Sequence, residues 1–389
     1  MKDKLDSYKD KLVSYKNKLT SYRFIKIFLL LIGIRIENQV PTDYRPEVTV
    51  LIPAYNEEDW IGATVKSVLD QTYPVKEIIV VDDSSSDRTG EIAGSFSGVR
   101  VLRTPVQTGM KAKAQKYGLK FVETELLVML DADTVLKEDA IEKIVPATYD
   151  DNTFSACGFV IPQDIGSIWE SVRLVQYLFG IGFFKNTQNF WGTLFVVSGC
   201  FSIYKTELLK SIDIPEDSIA EDLALTFQAQ LEGYRVKFIK DAVSYPKDPD
   251  NWLTYRNQIR RWYRGFFQCL KMYKGDLLSK NKKLLALTTV HLLSNFLWIF
   301  LVVGFITMTI QGSTGIYLYQ AIFYFLLFDF SFTVFMVLKG AIKYKRIRPA
   351  LAGIPFYWLS LIIDNVIFIE SGYIELYRNN KLVVWHKGH

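Results

Sequence analysis

Three long apolar segments, near residues 286–310, 315–338 and 351–371, constrain this chain more than any other feature of its sequence. Each reaches the roughly 20 residues a helix needs to cross a bilayer, where backbone polar groups must be satisfied within the segment itself. The first two read as clean spans. The third contains Pro355, Asp364 and Glu370, so it is expected to bend, to pack against protein or to line a polar path. Charges are dense to about residue 285 and sparse beyond it, so the 49% hydrophobic and 22% charged composition averages two regimes, one globular and one bilayer-embedded. The loop 311–314 is uncharged, whereas 340–348 carries Lys343, Lys345, Arg346 and Arg348, which assigns the latter to the cytosolic side. Three crossings would then carry the basic tail outside, against the same rule. A last segment that does not cross is the alternative.

The other basic regions also flank apolar ones. Net charge is +5, with Lys and Arg crowded into the first 26 residues and into Arg256 to Lys283. That pattern implies anionic lipid headgroups, and no nucleic-acid recognition motif accompanies it. A seven-residue repeat, KLDSYKD, KLVSYKN and KLTSYRF, sets Leu5, Leu12 and Leu19 in register with Tyr8, Tyr15 and Tyr22. It reads as a basic helix on the membrane surface or as a coiled-coil contact with a partner. Phe24 to Ile36 is a short span or an in-plane anchor, and without a small-residue cleavage site no secretory signal peptide is expected.

From Glu47 onward the period changes. Val48 to Pro53 reads as a buried strand, Glu57 to Leu69 as a helix, and Glu77 to Val81 as a strand ending in Asp82-Asp83. Helix 89–96, strand 99–103, helix 111–122 and strand 126–130 follow, the last ending in Asp131-Ala132-Asp133. Strands alternating with helices imply a mostly parallel, doubly wound α/β sheet, whose ligands bind beyond the carboxyl ends of the strands. Both acidic clusters lie there. The aromatic stretch 165–197 and residues 250–283 are expected to be interface helices.

Chemistry must run on carboxylates. Only His291, His386 and His389 supply imidazole, and Cys157, Cys200 and Cys269 lack the spacing of a disulfide framework or a zinc site. Asp131 and Asp133, two positions apart, can converge on Mg²⁺ or Mn²⁺ completed by phosphate oxygens, or simply form a solvated turn. Asp82 and Asp83 can accept from a uracil N–H or a ribose hydroxyl, while Asp87 or Ser86 is better placed to cap the following helix. Glu221-Asp222 suits a helix N-terminus, and equally a general base that removes a proton from an acceptor hydroxyl. Direct attack by that hydroxyl would invert the anomeric configuration. In Gln258-Ile259-Arg260-Arg261-Trp262, the guanidinium of Arg261 suits a diphosphate, Trp262 a sugar ring and Gln258 paired amide bonds; the rival is a basic juxtamembrane helix with an interfacial Trp.

Taken together these motifs resemble the family 2, GT-A-fold processive glycosyltransferases, the hyaluronan, chitin, cellulose and poly-N-acetylglucosamine synthases. Pro53-Ala54-Tyr55-Asn56-Glu57 is similar to their PxYNE segment, Lys111-Ala112 to GKA, and Asp131-Ala132-Asp133 to DxD. Ser198-Gly199-Cys200 resembles the segment under the acceptor, Ala220-Glu221-Asp222 resembles TED, and Gln258 to Trp262 resembles QxxRW. The resemblance implies that Tyr55, Glu57 and Asp83 hold the nucleoside with Asp82 nearby, that Lys111 approaches the phosphates, and that Asp131 touches ribose or diphosphate. It makes Asp133 the metal ligand and Asp222 the base, and gives diphosphate and acceptor to Gln258, Arg261, Trp262, Ser198 and Gly199. The implied partners are a UDP-sugar, UDP-N-acetylglucosamine or UDP-glucose first, membrane lipids, and a growing polysaccharide; one-step transfer to a lipid is the alternative. Ala220 stands for the usual Thr, Met110 for a Gly and Lys116 for an Asn. The expected organisation is an amphipathic helix and anchor over 1–45, a cytosolic GT-A domain over 46–275, transmembrane helices over 286–371 and a basic tail over 372–389 in a multi-pass cell-membrane protein.

Overall fold

The computed structural model describes residues 40, 41, 43–311 and 316–378. The chain divides after Arg45, and the sheet, its helices and the cleft all belong to the unit that starts at Pro46. The heptad repeat, Phe24 to Ile36 and residues 379–389 of the basic tail lie outside the described residues.

An eight-stranded sheet runs in the order β3-β2-β1-β4-β7-β6-β8-β5. Its first half is parallel: β1 (Val48–Ala54), β2 (Glu77–Asp82), β3 (Val99–Arg103) and β4 (Leu126–Leu130). Uninterrupted apolar runs put β1 and β4 wholly inside, as strands covered on both faces require. The other half is mixed. β7 (Phe201–Lys205) runs antiparallel to both β4 and β6 (Thr153–Val160), β8 (Arg235–Pro246) is parallel to β6, and the short β5 (Thr134–Leu136) is antiparallel to β8.

Helices α1 (Ile61–Leu69), α2 (Thr89–Gly94), α3 (Lys111–Leu119) and α4 (Ala140–Ile144) connect the early strands. α1 starts four residues later than its apolar period suggests, because Asn56 adopts a left-handed φ of 53° and Glu57 begins a turn whose carbonyl accepts from the N–H groups of Trp60 and Ile61. The aromatic stretch forms α5 (Ile168–Gln176), a π-helical segment Tyr177–Lys185 and α6 (Asn186–Trp191). α5 opens on a capping box: Ser167 Oγ accepts from Glu170 N, and Glu170 Oε2 accepts from Ser167 N. α7 (Thr206–Ile212) and α8 (Glu221–Leu231) precede a 29-residue helix, α9 (Trp252–Lys280).

The three apolar segments are helices α10 (Lys282–Gln311), α11 (Ile316–Lys343) and α12 (Ile347–Tyr373), each long and apolar enough to cross a membrane. α10 and α11 turn Leu293, Phe300, Val303, Phe328 and Phe335 outward, a surface that suits lipid rather than water. α12 is the one packed against protein. A Cβ built on Gly353 would fall 2.3 Å from the Ser171 carbonyl oxygen, so α12 and α5 touch backbone to backbone. Val337, Ala341, Ala350 and Ile354 thereby join the core that holds Leu51, Ile79, Leu127 and Phe238 of the sheet. Burial of Val337 and Ile354 contributes roughly 1.5–3 kcal/mol each, so the bases of α11 and α12 are part of the α/β body rather than an appended anchor.

Candidate active site

β1, β2 and β4 end along one edge of the parallel half, and each runs into a polar loop. The first two loops are stitched together. Asn56 N donates to Ser85 Oγ (3.0 Å), Ser86 N donates to Asn56 Oδ1 (2.9 Å), and Glu57 N donates to Thr89 Oγ1 (2.7 Å). Asp83 accepts from Thr108 N (2.9 Å), Thr108 Oγ1 (2.9 Å) and Thr104 Oγ1 (3.0 Å), and so fixes the loop that leads to Lys111 at the start of α3.

Asp82 behaves differently from its neighbour. Successive strand residues face opposite ways, and Asp82 is the last residue of β2. Its carboxylate is buried on the far side, paired with Arg103 Nη1 at 2.5 Å and accepting from Ser85 N at 2.8 Å. The expectation that Asp82 sits beside the nucleoside is corrected by that parity: it braces the loop and does not line the cleft.

Beyond β4, Lys111 Nζ lies 2.5 Å from Asp131 Oδ1, 3.1 Å from Glu221 Oε1 and 3.3 Å from the Gly199 carbonyl oxygen. Burial works to lower the pKa of this ammonium, but Asp131, Glu221 and Asp222 outweigh it and hold the pKa well above the ordinary lysine value. Asp131 is pushed up to about 6 by burial and by Asp133 and Glu221, against the pull of Lys111. Asp222 accepts from Leu223 N at 2.8 Å and Gly199 N at 3.1 Å, yet burial and the neighbouring Glu221 still raise its pKa. Gly199 is needed here, since a Cβ would come within 3.0 Å of Asp222 Oδ2 and 3.2 Å of Lys111 Nζ.

α9 closes the cleft. A Cβ on Gly265 would lie 2.3 Å from Ala220 Cβ, so this helix passes directly over the segment that carries Asp222. Its two faces divide the work of the motif. Arg256 and Arg260 reach Glu370 at 3.3 and 3.5 Å, and Arg264 Nε reaches Glu375 at 2.6 Å, while Gln258, Arg261 and Trp262 line the cleft. The paired arginines and the cleft-lining residues of this stretch therefore occupy opposite faces of one helix. A cavity of about 560 Å³ joins Tyr55, Glu57, Asp83, Lys111, Asp131, Asp133, Ser198, Gly199, Asp222, Gln258, Arg261 and Trp262, every expected site residue except Asp82.

Residues 49–213 match the model of the glycosyl transferase family 2. The chain carries a family 2 glycosyltransferase domain. Poly-beta-1,6-N-acetyl-D-glucosamine synthase of Staphylococcus epidermidis is 27% identical over 293 residues, 74% of this chain and 71% of the relative. The synthase of the same name from Staphylococcus aureus is 27% identical over 260 residues, 66% of this chain and 63% of the relative. A solved mannosyltransferase of Pyrobaculum calidifontis, in complex with GDP-Man and Mn²⁺, superposes with a TM-score of 0.57 at 18% identity, covering 89% of this chain and 99% of that one. That likeness establishes a GT-A-like fold.

The fold also brings in residues that no local pattern marks. Arg173 of α5, 2% exposed, pairs with Asp248 (3.3 Å), and its guanidinium lies 4.6 Å from the ring centroid of Trp262. Tyr177 donates to Asp248 at 2.8 Å, and Lys185 Nζ donates to Ser198 Oγ at 2.7 Å. The one available signal is that Arg173 and Lys185 are charges inside an otherwise apolar and aromatic stretch, where a buried charge needs a partner. Lys116 points elsewhere, to Asp213 (3.0 Å) and Glu216 (2.7 Å). The polar residues of the third apolar segment are engaged as well: Asp364 accepts from Tyr255 Oη (2.8 Å) and Gln176 Nε2 (3.0 Å). Of the three readings that segment allowed, packing against protein accounts for its acids.

Proposed function

We propose that this membrane-bound hexosyltransferase moves a sugar from a UDP-sugar, UDP-N-acetylglucosamine before UDP-glucose, onto a growing polysaccharide at the cytosolic face, with inversion and with a divalent metal. The observation that carries the reading is Asp222: a carboxylate of raised basicity, aimed by two backbone N–H groups into the cavity that Asp83, Asp133 and Trp262 also line. In this reading Asp222 takes the proton of the acceptor hydroxyl. The hydroxyl oxygen bonds to the anomeric carbon as the bond from that carbon to the diphosphate oxygen breaks, and UDP leaves with that electron pair. Tyr55, Glu57 and Asp83 hold the nucleoside, Lys111 and Arg261 meet the phosphates, and Ser198, Gly199, Gln258 and Trp262 seat the acceptor.

The donor set fits a hard cation. Asp133 and Asp131 offer carboxylate oxygens at the mouth of the cleft, and among the described residues no group of three or more ligating side chains converges into a complete cage. Mg²⁺ or Mn²⁺ held by one or two carboxylates characteristically draws its other ligands from substrate phosphates and water. Asp133 would hold it, with Asp131 beside it, and the ion would neutralise charge on the leaving diphosphate. The relatives named as poly-beta-1,6-N-acetyl-D-glucosamine synthases support the sugar and the polymer.

The second reading, single transfer to a lipid, has its own support. The cavity runs to Phe266 and to His291 on the membrane-type helix α10, so an acceptor entering from the bilayer would reach Asp222. Incubating the purified chain with UDP-N-acetylglucosamine, UDP-glucose and GDP-mannose, with and without chelator, tests donor and metal together by nucleotide release. A radiolabelled ladder supports the polymer, one organic-soluble product supports the lipid, and release unaffected by chelator removes the metal.

A further inference from the structure

Asp248 lies two residues past β8 and is 2% exposed, yet it lines the cleft. Its Oδ1 is committed to Tyr177 Oη and Arg173 Nε. Its Oδ2 is buried and accepts no hydrogen bond from the described residues. Buried polar atoms in native structures are nearly always satisfied, so an unsatisfied carboxylate oxygen on a residue that lines the cavity calls for a donor that arrives with a ligand. Gln258 Oε1 repeats the pattern independently, buried and unpartnered on the same cavity, one helical turn before Trp262. Arg173 ties the two together, because the cation that orients Asp248 also lies over the Trp262 ring.

We infer that Asp248 is an acceptor-binding residue: its Oδ2 receives a hydroxyl or amide N–H from the sugar resting against Trp262, and Gln258 Oε1 receives a second. A pyranose presents its polar groups around its edge, so a ring lying against an aromatic face can offer donors to acceptor atoms beside that face. The carboxylate makes its bond charge-assisted, and the buried Arg173 and Tyr177 hold it in one orientation. The inference rests on the polysaccharide reading above and deepens it by adding a residue outside the recognised motifs.

The test uses the full chain in detergent, UDP-N-acetylglucosamine as donor and a β-1,6-linked N-acetylglucosamine trisaccharide as acceptor, with UDP release as readout. D248N is expected to raise the trisaccharide KM by about tenfold or more and to leave the donor KM within about twofold. R173Q/D248N, which restores charge balance, is expected to keep the raised acceptor KM. Gln258→Leu leaves the ion pair intact and is expected to raise the same KM, which keeps the idea testable should D248N fold poorly. Recovery of the acceptor KM in the double variant would reduce Asp248 to a counter-ion, and a donor KM rising in parallel would move it to the donor side; either overturns the inference. An active wild type whose acceptor KM is unmoved by D248N and by Gln258→Leu sinks this inference alone, whereas a wild type that turns over no nucleotide sugar sinks the functional reading beneath it.

Discussion

Charges are placed on opposite terms on the two faces of α9. Toward α12 they are paired: Arg264 meets Glu375 at 2.6 Å with both side chains buried, and Arg256 and Arg260 share Glu370. Gln268 extends that network to the segment ahead of Asp222, donating to Glu375 and accepting from Ile219 N. In the cleft, by contrast, Lys111 is a single ammonium among Asp131, Glu221 and Asp222, and Asp133 adds to the repulsion on Asp131. The difference separates scaffold from site. A network in which each charge is paired holds helices in place, whereas an excess of carboxylates costs folding energy and is retained where a cation or a proton is to be handled. Removing a charge should therefore lower activity on one side and stability on the other.

The largest effect is expected at Asp222. Asp222→Asn should lower kcat by roughly 10²–10⁴-fold with little change in UDP affinity or melting temperature, as read by nucleotide release and by thermal unfolding in detergent. A variant that turns over normally removes Asp222 from its role, and one that simply unfolds makes it a scaffold acid like those on α12. Glu375→Ala is the converse. It takes a carboxylate away from the buried Arg264 and from Gln268 Nε2, so about 1–3 kcal/mol of stability should be lost. The midpoint of denaturant unfolding measures it, and an unchanged midpoint would mean that these pairs hold nothing together.

A pH profile sharpens the same contrast. Asp222 must be a carboxylate to take a proton, and burial and Glu221 raise its pKa. Activity should therefore fall about tenfold per unit as pH drops through a value above the ordinary aspartate pKa. The sign for folding is opposite. The folded chain binds this proton more tightly than the unfolded one, so the stability contribution is present at low pH and lost as pH rises through the raised pKa. An acid limb of kcat/KM at the ordinary aspartate position would show that Asp222 is not strained by its surroundings.

What the sequence made legible follows the same division. β1, β2 and β4 and the acids at their ends are local: an apolar run, then a polar loop, within a few residues. The mixed half of the sheet is not local, because β5 has three residues and the pairing of β4 with β7 spans distant chain segments. Asp82 and Asp83 could not be told apart without knowing which residue ends the strand, since one step of parity sends one carboxylate into the cleft and the other to Arg103. Arg173 with Asp248, and Tyr255 with Asp364, are pairs 75 and 109 positions apart, and nothing in either neighbourhood announces its partner. Motifs mark most of the residues that line the cleft; distant pairs such as these are chosen by packing.

Asp87 offers the smallest and most discriminating case, since it lies in the same acidic loop as Asp83. Its Oδ1 accepts from Thr89 N at 3.0 Å and its Oδ2 from Glu58 N at 3.1 Å, so it ties the start of α2 to the loop after β1 without lining the cleft. Arg88 holds the N-cap position of α2, so Asp87 ties the loops together from one residue outside the expected cap, a contribution of about 1 kcal/mol. Asp87→Ala should lower stability by that amount and leave the donor KM within about twofold, whereas Asp83→Ala should damage donor binding through the Thr104 and Thr108 loop that Asp83 holds. Donor titration of the two variants side by side decides it. Equal losses of donor affinity would mean that the loop works as one unit and that the line between scaffold and site falls outside it.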